Sequence, residues 1–195
     1  TNDDDQYFTK DIIQLSDEEV FVDIGAFDGD TIEYFLNHCQ GKFKSIHAFE
    51  LNKKIYYKLC EKVKLMKKEV SESIYLYQIG IWDEEKIITY DDNSTSSVIS
   101  MSGENEEFVK PLDDVLLDEK VTFIKMDIEG AELNALYGSE KIIRNNYPKL
   151  AICVYHKTEH LWEIPFYIRN ISSKYKIYLR HHSFDENETV CYAVL

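Results

Sequence analysis

Three observations in the sequence predict a three-layer α/β fold built on a mostly parallel sheet. Short apolar runs of strand length alternate with longer segments of helical periodicity. The first of these runs, from Val20 to Ile24, ends in a loop holding Gly25 and Gly29, and a helix-like segment begins at Asp30-Thr31. The chain closes on two strand-like runs joined by a polar turn, which reads as an antiparallel hairpin at one sheet edge. A chain of 195 residues has room for one full core and is short for two. The expected organisation is therefore a single domain over 1–195, with an N-terminal helix or arm over 1–19 and a ligand-side insertion over 83–110.

The elements follow in order. Residues 3–15 open with aspartates and then bring Tyr7, Phe8, Ile12, Ile13 and Leu15 close to helical spacing. That spacing predicts a short amphipathic helix or an extended arm lying over the sheet. Residues 28–31 cap a helix reaching about Cys39, which Gly41 ends. Residues 44–50 form a second strand that finishes on Glu50. A helix over 52–69 repeats Ile55, Leu59, Val63 and Met66 at three- and four-residue steps, and its lysines form a solvated face. Residues 73–79 are a third strand and 80–83 a turn.

Simple alternation then breaks. Residues 86–90 read as a strand, 93–97 as a polar flexible loop, and an extended piece runs to Lys110. These fit a β-hairpin with a mobile tip beside the ligand, and a plain surface loop equally. Residues 111–116 hold one helical turn, and 121–127 are a buried strand ending on Asp127. A helix follows from about Glu132 to Asn145. After Pro148, residues 149–155 form a fifth strand closed by His156, and 158–172 a helix containing Pro165. Strands 176–182 and 189–195 complete the chain, which has no internal repeats.

Bulk composition excludes several classes of function. The formal net charge is −14, so the surface repels phosphate backbones and anionic lipid. Neither nucleic acid nor membrane insertion is expected, and no apolar run approaches the roughly 20 residues of a membrane span. No basic-then-apolar leader is seen, and the four cysteines show no C-x-x-C pairing, which fits a reduced, cytoplasmic protein. The chain begins at Thr1 without a methionine, as a processed or excised piece of something longer would.

The glycine loop carries the first chemical signal. Strand, glycine turn and helix N-terminus make the usual mouth of a nucleotide-type site. The spacing here is G-x-x-x-G rather than the G-x-G-x-x-G of dinucleotide binders, and Asp23, Asp28 and Asp30 crowd the loop. Those acids repel a pyrophosphate and welcome a cation, which favours S-adenosylmethionine over NAD.

Three segments now resemble the FkbM family of S-adenosylmethionine-dependent methyltransferases. They are Phe-Val-Asp-Ile-Gly-Ala-Phe-Asp-Gly-Asp-Thr at 21–31, His-Ala-Phe-Glu at 47–50, and Ile-Lys-Met-Asp-Ile-Glu-Gly-Ala-Glu at 124–132. Stretches at 154–157, 178–183 and 188–189 add to the likeness, which covers the chain from about Tyr7 onward. The resemblance implies a Rossmann-like class I methyltransferase fold. Its seven-stranded sheet would take the order 3-2-1-4-5-7-6 with strand 7 antiparallel. It also implies methyl transfer to a hydroxyl oxygen, usually on a sugar or a glycosylated natural product, and the acceptor expected here is a sugar of a polysaccharide or glycoconjugate.

In such a sheet residues 23–29 and 127–130 face each other across one crevice. Gly25, Ala26 and Gly29 give a cofactor backbone access, and Asp23 or Asp28 holds its amine directly or through water. Asp28 is equally explained as a turn-forming side chain. Glu50 accepts from the ribose, and Trp82, or Ile81 beside it, lines the adenine or simply packs in the core. Asp127 orients the acceptor or touches the cofactor. Glu129 does the same or bonds the amides of the following helix, and Glu132 is read as a cap. His156 is the candidate base at neutral pH, with an ordinary hydrogen-bonded histidine as the competing reading. Of His181 and His182, at most one faces the site. Asp127 and Glu129 would suit Mg²⁺ or Ca²⁺, but two carboxylates alone do not predict a metal, and none is expected. Acceptor choice falls to loops such as 91–107. The rival functions are a non-catalytic module that keeps the cofactor fold and an NAD-dependent oxidoreductase.

Overall fold

The computed structural model describes residues 6–93, 96–99 and 105–195. The chain forms β1 (Val20–Ile24), α1 (Asp30–His38), β2 (Ser45–Phe49), α2 (Lys53–Lys64), α3 (Lys68–Ser71) and β3 (Ile74–Tyr77). It continues through β4 (Gly80–Ile81), β5 (Lys86–Asn93), β6 (Ser96–Ile99), β7 (Asn105–Lys110) and the single turn α4 (Leu112–Val115). Then come β8 (Phe123–Met126), α5 (Glu132–Tyr137), α6 (Glu140–Asn146), β9 (Lys149–Cys153), α7 (His160–Ile171), β10 (Lys176–His181) and β11 (Thr189–Val194).

The main sheet runs β3-β2-β1-β8-β9-β11-β10. All pairs are parallel except those of β11, which is antiparallel to both β9 and β10. Counted within this sheet, the strands follow the order the family resemblance implies. In chain numbering the order differs in detail, because β4 to β7 intervene and form a second sheet of order β4-β7-β5-β6. The α/β class with a mostly parallel sheet is borne out.

Both faces of the sheet are covered, which is why its central strands read as nearly unbroken apolar runs. Val20, Val22 and Ile24 point to one core with Ile124, Met126, Leu150, Ile152 and the buried sides of α5, α6 and α7. Phe21 alternates to the other face, against Phe123, Ile32, Phe35 and Leu59. At roughly 25 cal/mol per Å² of apolar area removed from water, these two cores dominate the fold.

Two local readings differ from the outcome, and a third narrows to one of its alternatives. Residues 6–19 contain no helix, which leaves the arm. One turn is closed by Ile12 and Ile13 amides on the Thr9 carbonyl, and Tyr7, Phe8, Ile12 and Ile13 are buried. Ring packing fixes the segment instead, with Phe8 edge-on to Phe21 and Phe123 at 6.1 and 5.9 Å. The aspartate run at 3–5 lies outside the described residues, as do residues 94 and 95 of the polar loop at 93–97. The helix expected over 52–69 stops at Lys64, where the Leu65 and Met66 amides tighten onto carbonyls three residues back. The helix expected to reach Asn145 breaks into α5 and α6 at Gly138. A Cβ there would lie 1.9 Å from the Trp82 carbonyl oxygen, so only glycine lets the two segments meet.

Candidate active site

At the centre of the sheet, β1 is flanked by β2 and β8, whose connections leave on opposite sides and open a crevice at the strands' carboxyl ends. Gly25 sits where the two loops touch. Its φ is +80°, and a Cβ would come 2.0 Å from the Asp127 carbonyl oxygen. No side chain fits that approach. Phe27 and Gly29 are also left-handed, with φ of 47° and 88°, so the loop turns sharply into α1. The crevice widens into a cavity of about 770 Å³, within the usual range for small-molecule sites.

Gly25 marks the middle of this cavity, and one end is walled by Phe27, Asp30, Thr31, Glu50, Leu51, Ile81 and Trp82. Glu50 is buried, and each carboxylate oxygen takes one backbone amide: Phe27 N at 3.0 Å and Asn52 N at 2.7 Å. Burial nevertheless pushes its carboxyl up to about 7, against those two bonds and the Lys125 charge. Trp82 Nε1 is buried with no hydrogen-bond partner among the described residues. A wall of apolar and aromatic surface with an indole N–H and an oriented carboxylate fits an adenosine.

Not every loop residue singled out from sequence reaches this wall. Asp23 lies beneath it, fully buried, in an ion pair of 3.0 Å with Lys125, which also donates to the Gly25 carbonyl at 2.7 Å. Burial alone would lower the Lys125 ammonium, but Asp23, with Asp127 behind it, outweighs that and raises it. Ala26 is buried, Gly29 packs under Leu59 and Lys62, and Asp28 pairs with Lys62 at 3.3 Å. None of the four lines the cavity. A lysine inside the apolar run Phe-Ile-Lys-Met was the available signal for the Asp23 pair, since a buried ammonium demands a counter-charge.

The other end is walled by Gln6, Tyr7, Asp127, Glu129 and the β10–β11 turn, including His182, Phe184, Asp185 and Glu188. Asp127 Oδ2 accepts from the Tyr7 hydroxyl at 2.8 Å and Oδ1 from Tyr155 at 3.4 Å. Glu129 and Glu188 are both left-handed, at φ of 55° and 64°, a strained state that aims two glutamates at the same space. Burial raises the Glu129 carboxyl; His156 opposes this, and the negative charges of Asp127, Glu132 and Glu188 add to it. Of the two adjacent histidines, His182 faces the cavity and bonds Tyr192 at 2.7 Å, while exposed His181 bonds Thr189 at 2.8 Å.

His156 stands behind this wall rather than on it. Its Nδ1 lies 2.8 Å from Glu132 Oε1, and Nε2 faces Asp127 and Glu129 at 3.4 and 3.6 Å. Glu132 has no exposed surface; its Oε1 also accepts from the Ile128 and Gly130 amides at 3.0 and 3.3 Å, and its other oxygen lies 3.2 Å from His160 Nδ1. Burial opposes its charge, yet these partners lower its carboxyl to about 2. Burial likewise disfavours the His156 cation, and Glu132 overcomes that and raises it. Asp127, Glu132 and His156 each bring one atom within 4.8 Å of the others. Glu132 and His156 direct theirs at each other and at backbone amides, so this donor set is a closed hydrogen-bonded unit rather than an open metal site.

Gln6, Tyr7, Tyr155 and Glu188 were not legible as site residues, because segments far apart in sequence bring them here.

Among the described residues no helix is long and apolar enough to cross a membrane. No curated protein matches the chain. Solved structures do. Fibrillarin from Aeropyrum pernix, with natively bound S-adenosyl-L-methionine, shares the fold at 13% identity, with a TM-score of 0.56 over 97% of this chain and 73% of that one. SMU.1697c, a methyltransferase-like protein of Streptococcus mutans in complex with SAH, does so at 12% identity and a TM-score of 0.59, over 98% and 95%. Much nearer is methyltransferase FkbM from Methylobacillus flagellatus KT. It is 30% identical with a TM-score of 0.85 over 97% of this chain, which spans about half, 47%, of that protein's length. The methyltransferase FkbM domain model matches residues 23–185, the stretch that runs from the first glycine loop to the turn walling the far end of the cavity. The chain belongs to the FkbM methyltransferase family.

Proposed function

We propose that the protein is an S-adenosylmethionine-dependent O-methyltransferase acting on a sugar hydroxyl. The observation that carries the reading is a single cavity with two unlike ends that meet where Gly25 touches Asp127: Glu50 and Trp82 wall one, Asp127 and Glu129 the other. Glu50 would accept from ribose hydroxyls, Trp82 would meet the adenine, and Asp30 with the Gly25 backbone would serve the charged amino-acid end of S-adenosylmethionine, which when bound would supply an electrophilic methyl group.

The chain's own residues align and deprotonate the acceptor. Asp127, fixed by two phenols, accepts a hydrogen bond from the acceptor and sets its direction. Glu129 takes the hydroxyl proton as the new C–O bond forms, and its raised carboxyl makes it a better base at neutral pH. His156, whose protonated form Glu132 favours, stands behind both carboxylates and offsets part of their negative charge. The acceptor end presents Asp127, Glu129, Asp185 and Glu188. That array suits a hydroxyl-rich, uncharged unit, whose O–H groups donate, and disfavours a phosphorylated one.

The test is transfer of labelled methyl from S-adenosylmethionine to a panel of neutral oligosaccharides, with phosphorylated counterparts alongside. Label on a sugar oxygen supports the reading. Binding of the cofactor with no transfer to any hydroxyl would move the protein to the non-catalytic class.

A further inference from the structure

Residues ahead of β1 lie outside the stretch matched to the family, 23–185, yet two of their side chains, Gln6 and Tyr7, reach the cavity wall. Tyr7 is buried, and its hydroxyl donates to Asp127 Oδ2 at 2.8 Å and lies 3.5 Å from Cys153 Sγ. Lys125 Nζ stands 5.2 Å from the centre of the ring. Tyr7 therefore touches both charged side chains that β8 and the residue after it present on this side, one cation and one anion. The bond to Asp127 is much shorter than the 3.4 Å contacts that Tyr155 and His156 make with the other oxygen.

The segment does not depend on that bond to stay in place. Phe8 packs among Phe21, Phe35 and Phe123. Thr9 donates to the Tyr192 hydroxyl at 3.2 Å, Tyr192 donates to the Gln6 carbonyl, and Asp11 pairs with Arg180 at 3.2 Å. The Tyr7 hydroxyl is thus available for a task other than anchoring. Without it, Asp127 loses its shortest restraint, and the Lys125 ammonium, 5.2 Å from the centre of the Tyr7 ring, is the cation on the same side that competes for the freed carboxylate.

We propose that Tyr7 is a positioning residue for methyl transfer, holding the Asp127 carboxylate toward the acceptor and away from Lys125. The inference rests on the methyltransferase reading above and adds a part that lies outside the stretch the family model matches. It acts through Asp127, so its loss reduces turnover more than binding.

The experiment compares the full-length chain with Tyr7→Phe and Phe8→Leu, using calorimetric S-adenosylmethionine binding and steady-state transfer to a neutral oligosaccharide. Tyr7→Phe keeps the ring and removes one oxygen. It should bind the cofactor within about twofold of wild type, keep the acceptor KM within about threefold, and lower kcat by tenfold or more. Phe8→Leu loosens the same segment without touching Asp127, so its kcat should stay near wild type while its melting temperature falls. An unchanged kcat in Tyr7→Phe overturns the proposal. So does an equal loss in both variants, which would assign the effect to the segment's integrity, or a loss of cofactor affinity, which would assign Tyr7 to the cofactor. Wild-type protein that binds cofactor and transfers no methyl removes the underlying reading, and this inference with it.

Discussion

The two ends of the cavity are built in different ways. The end with Phe27, Glu50 and Trp82 comes from two consecutive strand-to-helix loops and a turn shortly after β3, and backbone amides fix its key carboxylate. The end with Asp127 and Glu129 is assembled from residues 6–7, 127–131, 155–156 and 182–188. Its carboxylates are held by side chains from distant segments. One end is set by local chain geometry and the other by tertiary contacts, so the first should fail through backbone changes and the second through single polar atoms.

The largest effect expected follows Gly25→Ala, at the junction of the two ends. A Cβ placed 2.0 Å from a backbone oxygen, at φ of +80°, forces the two loops apart. A loss of about 3 kcal/mol or more, or failure to fold, should appear in urea denaturation. A variant as stable as wild type would show that the loops do not meet as described.

At the end built from distant segments, the most damaging polar change is Glu132→Gln. It leaves His156 and His160 without their shared carboxylate and should cost roughly 3 kcal/mol. Because the folded carboxyl is lowered to about 2, its contribution is present above the ordinary carboxylate range and is lost as the pH falls toward 2. The acid limb of the stability profile should therefore flatten in the variant. An unaltered acid limb would mean that the cluster is not held by charge.

Glu129→Gln sharpens the division of labour. Turnover should fall about 10²-fold or more, with cofactor affinity unchanged within about twofold, when binding and rate are measured separately. Equal loss of both would place Glu129 at the cofactor instead.

Glu50 gives a pH test with opposite signs for binding and folding. Its folded carboxyl lies at about 7, above the ordinary 4.5. Its contribution to the stability of the protein alone is full below the ordinary value and is lost as pH rises through 7. Cofactor affinity should move the other way, rising about tenfold from pH 6 to pH 8 as the ribose acceptor ionises. Glu50→Gln should abolish that slope in a titration series.

The smallest effect concerns Asp28, whose half-exposed pair with Lys62 is worth under about 1 kcal/mol. Asp28→Ala should change neither cofactor affinity nor turnover noticeably, and a large loss of affinity would return Asp28 to the cofactor.

How much of this was legible in the sequence follows the same division. Strand-length apolar runs and the glycine loop announced the sheet and the cofactor end, because period and turn chemistry are local properties. Glu50 was found by its distance along the chain from the loop, which the βαβ unit fixes. Asp23 looked like a loop acid, yet the register pairs it with Lys125 across β1 and β8, and no short-range rule reveals register. His156 read as a crevice base or as an ordinary hydrogen-bonded histidine, and only the packing of α5 against its neighbours shows it held behind the wall by Glu132. Tyr7 was legible only as an apolar position of the arm, since its partner is 120 residues away.

The central claim is that one cavity holds S-adenosylmethionine at its locally built end. Thermal unfolding of the full chain with increasing S-adenosylmethionine, and separately with NAD, tests it most directly. At about 100 times its dissociation constant the cofactor should add roughly 2.7 kcal/mol and raise the melting temperature, with no response to NAD. Stability indifferent to S-adenosylmethionine, or raised by NAD, would contradict the account.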